Sequence, residues 1–271
     1  MKKLLVFIFA FAATITLADH QNIMWDPQGY PEDEYRGDWF ATIDTDAADH
    51  AITVQSDVTR KGPTAIKFEL RDGDCFTAAP HDPSSDWDDC TRDRERSELR
   101  EKWYPELDTS VWYGISLYIP EDYEYMYPKQ IFLQWHGGPG PVVYFQLNRD
   151  KFLIDILTEV GQTTTQYKMG THRLKPGQWH DIVINAVWSN TNEGKFIFYL
   201  GGNKLLQHYG PTMDDQSYAK GRGPYTKFGI YRSHLSRWDS DEPHPTQILY
   251  FDEYRRGYRS SDVDVDNYDG D

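Results

Sequence analysis

The chain has 271 residues, a formal net charge of −15 and 15% aromatic residues, including 19 tyrosines. This length allows one ordinary domain or one large β domain. The strong negative charge argues against nucleic acid as a partner. An acidic polymer is also repelled at long range, unless a local group of cations overrides the net charge within a Debye length of ~8–10 Å. The aromatic content suits β-sheets, with or without a surface on which sugar rings stack.

The first eighteen residues have the pattern of a secretory signal peptide, with two lysines, an apolar run and a small-residue ending at Ala18. The run is too short to span a membrane as a helix. We therefore expect a secreted protein, extracellular or periplasmic, that acts as a monomer without a membrane partner. The predicted domain covers residues 19–258, and an acidic tail, residues 259–271, is expected to fray.

The only two cysteines, Cys75 and Cys90, bracket a loop-like segment rich in Asp, Pro and Ser. Export favours oxidation, so the sequence predicts a disulfide between them. Closing a loop of this size contributes roughly 3 kcal/mol to stability. Zinc ligation is the weaker alternative, because there is no second cysteine pair.

Short alternating segments separated by turn residues predict about a dozen strands and no amphipathic helix. The predicted strands are 51–58, 64–70, 92–102, 111–119, 129–136, 142–149, 151–160, 162–170, 179–189, 195–202, 225–233 and 247–258. Residues 19–50 and 209–224 are predicted to be loops. The pattern indicates an all-β protein, a β-jelly roll sandwich of two antiparallel sheets with a concave substrate groove.

The segment 92–102 places an unusual row of charges on one face of a predicted strand. Cations recur there at every second position, with one acid among them, and Leu99 and Trp103 point to the opposite face. The row comprises Arg92, Arg94, Arg96, Glu98, Arg100 and Lys102. The row is either the charged surface of an edge strand or the floor of a groove for a polyanion.

Two later strands carry reactive groups at the same spacing. Gln134 and His136 flank Trp135, and the third strand carries Tyr225, Lys227 and Tyr231, with Gly229 expected to leave room for a ligand. Paired carboxylates and a serine elbow are both absent, which argues against hydrolysis.

The set suits β-elimination on a uronic acid. Gln and Arg donors neutralise the substrate carboxylate, a His or Tyr takes the proton, and a Tyr returns one to the leaving oxygen. Neighbouring Arg and Lys are expected to lower the tyrosine pKa values.

The segments RSELR (96–100), QWH (134–136) and YTKFGIY (225–231) resemble the R-S/T-E-x-R, Q-x-H and Y-x-K-x-G-x-Y motifs of jelly-roll alginate lyases. The wider pattern, with PGQWHDIVI, GIYR and YFDEYRRG, is more similar to polysaccharide lyases of the glucuronan lyase and heparin lyase I type. The resemblance runs from about residue 64 to residue 258. It implies that Gln134 and Arg96 or Arg100 bind the carboxylate, that Tyr231 is either the acid alone or both acid and base, and that His136 is a base or neutraliser.

Further side chains are predicted to bind substrate, although Glu98 is favoured as an arginine positioner and His81, in the disulfide loop, is an alternative base. These residues are Arg94, Glu98, Lys227, Tyr225, His81, Tyr144 and Gln146. The chemistry needs no cofactor. Asp252 is a candidate ligand for a structural Ca²⁺ together with N-terminal oxygens, and a plain salt bridge is the alternative.

These observations predict a secreted, endo-acting polysaccharide lyase whose partner is an acidic polysaccharide. We expect β-1,4-glucuronan first, alginate second and a heparin-like polymer third. A non-catalytic carbohydrate-binding module of the same fold and a glycoside hydrolase are the alternatives.

Overall fold

Fourteen strands dominate residues 39–78, 85–171 and 173–265, the parts of the chain that the computed structural model describes. The strands are β1 (Trp39–Ile43), β2 (Ile52–Gln55), β3 (Ala65–Leu70), β4 (Arg94–Glu101), β5 (Ser110–Ile119), β6 (Lys129–His136), β7 (Pro141–Asn148), β8 (Lys151–Ile156), β9 (Thr165–Thr171), β10 (Gln178–Val187), β11 (Lys195–Leu200), β12 (Asn203–Tyr209), β13 (Tyr225–Ser233) and β14 (Gln247–Gly257). Two short helices, α1 (Ala48–Ala51) and α2 (Asp215–Tyr218), interrupt them. None of the described helices has the length and apolar character needed to cross a membrane.

The strands form two seven-stranded antiparallel sheets. The front sheet has the order β1-β4-β13-β6-β7-β8-β9, and the back sheet has the order β12-β11-β10-β5-β14-β3-β2. Each sheet also pairs strands that are far apart in the chain, such as β4 with β13 and β5 with β14. This topology confirms the predicted jelly-roll sandwich. We call the side of the front sheet that points away from the back sheet the front face.

Aromatic side chains fill the space between the sheets. Trp135 and Trp188 are fully buried with ring centroids 5.8 Å apart, and Phe145 lies 5.8 Å from Trp135. Near β4, Phe228 contacts both Phe68 and Phe251. Rings of this size dominate core energetics. Much of the aromatic content therefore serves the core rather than a sugar-stacking surface.

Two strands were not predicted. β1 lies in a segment expected to be a loop, and all five of its residues are buried, so it lacks the alternation that marks a half-buried strand. β12 is an edge strand whose residues are mostly exposed, so its hydrophobic signal is weak.

A bulge shifts the alternation within β6. Pairing with β7 is irregular between Ile131 and Leu133. Ile131 consequently joins Tyr144 on the front face, whereas Phe132 enters the core 5.7 Å from Phe152. Strict alternation from Trp135 predicts that Ile131 points to the core and Phe132 to the front face. The extra residue of the bulge reverses both placements.

The start of the acidic tail packs against the domain. Residues 260–263 form a 3-10 helix in which Val263 is buried, and the side chain of Arg255 donates to the Asp264 carbonyl. Predicted fraying therefore does not apply to residues 259–265. The predicted signal peptide, residues 1–18, and the end of the tail lie outside the described residues.

Candidate active site

β4 occupies an interior position of the front sheet. It pairs with β1 on one side and β13 on the other, which rules out the edge-strand interpretation. Its charged row is also shorter than predicted. Arg92 precedes the strand in a turn where Asp93 has a φ of 66°, and Lys102 follows its last residue. The cations on the strand's front face are therefore Arg94, Arg96 and Arg100.

Strand pairing brings the three motifs together on the front face. On β13, Tyr231 lies opposite Arg96 and Lys227 lies opposite Arg100. Lys227 also faces Gln134 across to β6, and Tyr225 faces His136. Directly opposed residues share a face of the sheet. The structure thus groups all five side chains proposed for catalysis: Tyr231, His136, Gln134, Arg96 and Arg100.

Glu98 joins the three strands as a shared acceptor. Its carboxylate accepts from Gln134 Nε2 at 2.5 Å, from Lys227 Nζ at 2.5 Å and from Arg96 Nη1 at 3.3 Å. Glu98 is 1% exposed and Lys227 is 4% exposed. Burial lowers the pKa of Lys227 to about 8, although Glu98 opposes this shift. Glu98 and Lys227 thus help to fix the orientation of Gln134 and Arg96, which agrees with the favoured role of Glu98 as an arginine positioner. That the two residues also contact substrate stays a prediction.

Arg96 is held by an acid that sequence reasoning missed. Its Nε and Nη2 donate to the two oxygens of Asp89 at 2.5 Å and 2.8 Å, and Asp89 is fully buried. Asp89 directly precedes Cys90, whose disulfide to Cys75 confirms the predicted pair. The acidic DDC sequence beside the cysteine is the signal that points to this partner. All three guanidinium nitrogens of Arg96 already donate to Asp89 or Glu98. We therefore expect Arg96 to act on a substrate mainly through its positive potential and less through bidentate hydrogen bonds.

Tyr231 lies beneath Arg96, with the guanidinium carbon 4.4 Å from the ring centroid. Within the described residues its hydroxyl has no hydrogen-bond partner. Burial raises the pKa of Tyr231 and outweighs the lowering by Arg96 and Arg94. Burial likewise raises the pKa of Tyr225 to about 12. The neighbouring arginines lower both tyrosine pKa values as expected, but burial raises them by more, so both phenols are protonated donors at neutral pH.

His136 is a neutral donor. Burial, followed by Lys227, Arg100 and Arg96, lowers its pKa to about 3. Its ring stacks on Tyr225 with centroids 5.2 Å apart, and its Nδ1 accepts a hydrogen bond from the Gly138 backbone N–H at 3.2 Å. A neutral imidazole that accepts at Nδ1 carries its proton on Nε2. His136 is therefore suited to donate to a carboxylate rather than to abstract a proton.

Tyr144 and Gln146 lie on the neighbouring strand β7 and share the front face. Their polar ends are engaged by the protein: the Tyr144 hydroxyl lies 3.0 Å from Thr163 Oγ1, and Gln146 Nε2 donates to Asp155. Both residues are at most 5% exposed. The structure supports a framework role for them rather than the predicted substrate contact.

Arg94 lies toward the other end of the front face. Its guanidinium carbon is 5.0 Å from the ring centroid of Trp87, and the residue is partly exposed. It remains a candidate for substrate binding. His81, the alternative base, lies outside the described residues.

Gly229 is required by packing rather than by a ligand. Its φ is +135°, and an added Cβ would lie 2.3 Å from the Ser97 carbonyl oxygen and 2.8 Å from Phe68 Cδ1. The backbone of β4 and the core thus exclude a side chain there. The prediction that Gly229 leaves room for substrate is corrected accordingly.

The calcium prediction at Asp252 gains no support from the contacts of this residue. Its Oδ2 accepts from the backbone N–H groups of Arg60 and Lys61, and its Oδ1 accepts from that of Glu253. These oxygens are engaged by amides, which does not fit a cation site. The N-terminal oxygens that the prediction invokes lie outside the described residues.

Another set of possible ligands is Asp72, Glu95 and His244. His244 Nδ1 lies 2.7 Å from Asp72 and 3.2 Å from Glu95, and Arg232 pairs with Glu95 at 2.5 Å. Asp72 is exposed and His244 is partly exposed, whereas Glu95 and Arg232 form a buried ion pair at the start of β4.

Comparison with known proteins defines the class of this fold and site. The family model described as polysaccharide lyase matches residues 32–255. The chain therefore belongs to the polysaccharide lyase family, and it is a lyase with a jelly-roll fold. No curated protein sequence matches it.

Three solved structures show the same fold. The endo-β-1,4-glucuronan lyase from the fungus Trichoderma reesei has a TM-score of 0.62 at 18% identity, covering 80% of this chain and 90% of that one. The family 7 alginate lyase AlgAT5 has a TM-score of 0.55 at 16% identity, covering 82% and 94%. The family 7 alginate lyase A1-II′ has a TM-score of 0.51 at 16% identity, covering 76% and 82%.

Proposed function

We propose that this protein is a secreted, endo-acting lyase that cleaves a polyuronate, with β-1,4-glucuronan as its main substrate. The observation that carries the proposal is the Tyr231 hydroxyl. It has no hydrogen-bond partner among the described residues and lies beside the Arg96 guanidinium, on the face that also presents Gln134 and His136. A proton donor next to carboxylate-binding groups is what β-elimination on a uronate requires.

The proposed reaction consumes no water. A base removes the C5 proton beside the carboxylate, the electron pair forms the C4–C5 double bond, and the bond from C4 to the glycosidic oxygen breaks. Tyr231 gives its proton to that leaving oxygen. Gln134, through its second amide hydrogen, and His136, through Nε2–H, stabilise the charge that develops on the carboxylate.

Two groups are candidates for the base. Tyr231 in its ionised form can take the C5 proton and return the same proton to the leaving oxygen. Alternatively, His81 takes the proton while neutral Tyr231 acts as the acid. The single-tyrosine route predicts that His81→Ala retains turnover and that rate rises with pH, because the raised pKa of Tyr231 makes tyrosinate scarce near neutrality.

The preference for glucuronan rests on the wider sequence pattern. Trp135 stands where alginate lyases usually have Ile or Val, and Arg232 follows Tyr231 where they usually have Asn and then Gln. Both are fully buried, and Arg232 pairs with Glu95. These two residues therefore indicate that the sequence is more similar to glucuronan lyases than to alginate lyases, although neither residue is placed to contact substrate. The fungal neighbour with this fold is named for glucuronan.

Secretion is proposed from the leader-like first eighteen residues. The Cys75–Cys90 disulfide supports it, because such bonds persist in oxidising compartments. Mass analysis of the exported protein tests this: we expect cleavage after Ala18 and no free thiol, and an intact leader on the exported chain contradicts the proposal.

A panel of glucuronan, alginate and a heparin-like polymer tests the substrate. The ultraviolet absorbance of the unsaturated product should rise fastest with glucuronan. A faster rise with alginate reverses the order of substrates. Binding of every polymer without any absorbance change supports the carbohydrate-binding module instead.

A further inference from the structure

A second concentration of positive charge lies beside the catalytic groups. At one end of the front face, next to His136 and Tyr225, is a cavity of about 540 Å³. Its lining residues are Arg100, Tyr104, residues 137–139, Lys220, Arg222 and Tyr225. Among these described residues three are cationic and none is acidic, in a chain whose net charge is −15.

These cations differ from those at the centre of the site. There, Arg96 and Lys227 are matched by Asp89 and Glu98. In the described parts of the chain, neither Lys220 nor Arg222 bonds to a carboxylate, and both are exposed. The Arg222 guanidinium lies 3.7 Å from the ring centroid of Tyr104, and Arg100 Nη2 lies 3.3 Å from the hydroxyl of the same tyrosine. The positive charge of Lys220 and Arg222 is thus available to an anion.

The segment that carries Lys220 and Arg222 is fixed on both sides. Ser217 of α2 packs so closely on Gly137 that an added Cβ there would lie 2.2 Å from its Oγ. After Arg222, the Gly223 N–H donates to the Pro105 carbonyl at 2.7 Å. Between these points, the Tyr218 hydroxyl donates to Asp108 at 2.6 Å. The cavity is therefore part of the folded domain, and the segment that carries Lys220 and Arg222 is anchored by these contacts.

The lining of the cavity does not include Gln134, Arg96 or Tyr231, so the cavity lies to one side of the catalytic centre. Arg100 lies opposite Lys227, which lies opposite Gln134, so two strand spacings separate Arg100 from Gln134. That is about 10 Å between their backbones. A polyuronate, however, carries a carboxylate on every sugar. The guanidinium forks of Arg100 and Arg222 match carboxylate geometry.

We propose that this cavity is a subsite for a second uronate, whose carboxylate is bound by Arg100, Lys220 and Arg222 while the neighbouring sugar reacts at Tyr231. The inference rests on the proposed function. It moves Arg100 from the reacting carboxylate to the adjacent one. It also places the salt-sensitive part of binding at Lys220 and Arg222 rather than along β4.

Binding measured without turnover tests the subsite separately from the reaction. In a Tyr231→Phe background, Lys220→Ala with Arg222→Ala should weaken calorimetric binding of a defined β-1,4-glucuronate oligomer at least tenfold, because charge-assisted hydrogen bonds are lost. The loss should shrink in high salt, or when the oligomer carboxylates are methyl-esterified. Lys204→Ala, which removes an exposed cation from the back sheet, is the matched control and should leave binding unchanged.

Kinetics of the otherwise native enzyme provide the second measurement. The Lys220→Ala, Arg222→Ala variant should raise KM for glucuronan at least tenfold and change kcat less than about threefold, since the reacting groups remain. Unchanged oligomer binding and KM overturn the subsite. A greater loss for dextran sulfate than for the glucuronate oligomer also overturns it, because it shows a sulfate site. If the parent binds the oligomer through these cations but releases no unsaturated product, the proposed function fails and the subsite stands.

Discussion

At the scale of single residues, the site is an arrangement of donors held by buried acids. Glu98 and Asp89 together engage Arg96, Lys227 and Gln134. Taking charges out of water is costly unless they are paired and hydrogen-bonded. These acids therefore allow cations to be buried on the front face, at the proposed substrate site, in a strongly acidic protein.

Tyr231→Phe removes one hydroxyl and keeps the ring that packs under Arg96. Because the leaving oxygen then has no donor, we expect turnover to fall by about 10²–10⁴, the usual contribution of general acid–base catalysis. Oligomer binding should stay within about twofold of the parent. Rates come from the absorbance of the unsaturated product, and Tyr258→Phe, at a 55% exposed position, is the control. A Tyr231→Phe enzyme with parental turnover would move the acid role to Tyr225.

Glu98→Gln keeps the shape of the side chain and removes its charge. It leaves Arg96 and Lys227 with one carboxylate fewer in a buried setting, so we expect a loss of about 3–5 kcal/mol in the free energy of unfolding. Urea denaturation measures it. Glu193→Gln, an exposed glutamate in the β10–β11 turn, should change stability little. Equal midpoints for Glu98→Gln and the parent would show that Glu98 does not hold the network together.

The lowered pKa of His136 predicts acid sensitivity. Above about pH 6.5 the ring is neutral in both the folded and the unfolded chain; as pH falls from about 6.5 toward 3, only the unfolded chain takes up the proton. Stability is therefore lost as pH falls through this window. His136→Asn should narrow the difference in urea midpoint between pH 7 and pH 4. A difference as large as the parent's would contradict the assigned environment of His136.

At the scale of elements, the disulfide loop is connected to the chemistry through β4. Cys90 is next to Asp89, Asp89 holds Arg96, and Arg96 covers Tyr231. A covalent link in the loop is thus connected, through Asp89 and Arg96, to the tyrosine that we propose as the proton donor.

Replacing both cysteines by serine should lower stability by roughly 3 kcal/mol, the value expected for a closed loop of this length. Turnover should fall with it, because Asp89 loses its anchor. Thermal unfolding and product absorbance measure the two effects. Asp86→Ala changes an exposed residue of the same loop and serves as the control. If reductant leaves the parent's unfolding temperature and rate unchanged, the disulfide supports neither.

The sequence predicts most strands because alternation survives wherever one face is buried. It does not predict β1, which is buried on both faces, or the β6 bulge, which exchanges Ile131 and Phe132. For the site, motif spacing indicates which side chains share a face. It does not indicate that Asp89 balances Arg96 or that burial raises the tyrosine pKa values, because both depend on which elements pack together in three dimensions.

At the scale of the whole molecule, an acidic protein with locally positive binding sites should bind its polymer more weakly as salt rises. Affinity for glucuronan, measured calorimetrically with Tyr231→Phe at low and high ionic strength, should fall steadily with salt. Salt-independent affinity would mean that apolar stacking, rather than charge, binds the glucuronan polymer.

The central claim is that cleavage proceeds by elimination at Tyr231. The direct measurement is the ratio of unsaturated ends to new reducing ends when purified enzyme digests β-1,4-glucuronan. We predict one unsaturated end for every new reducing end, with both appearing far more slowly in Tyr231→Phe. New reducing ends without matching double bonds would show hydrolysis and contradict the account.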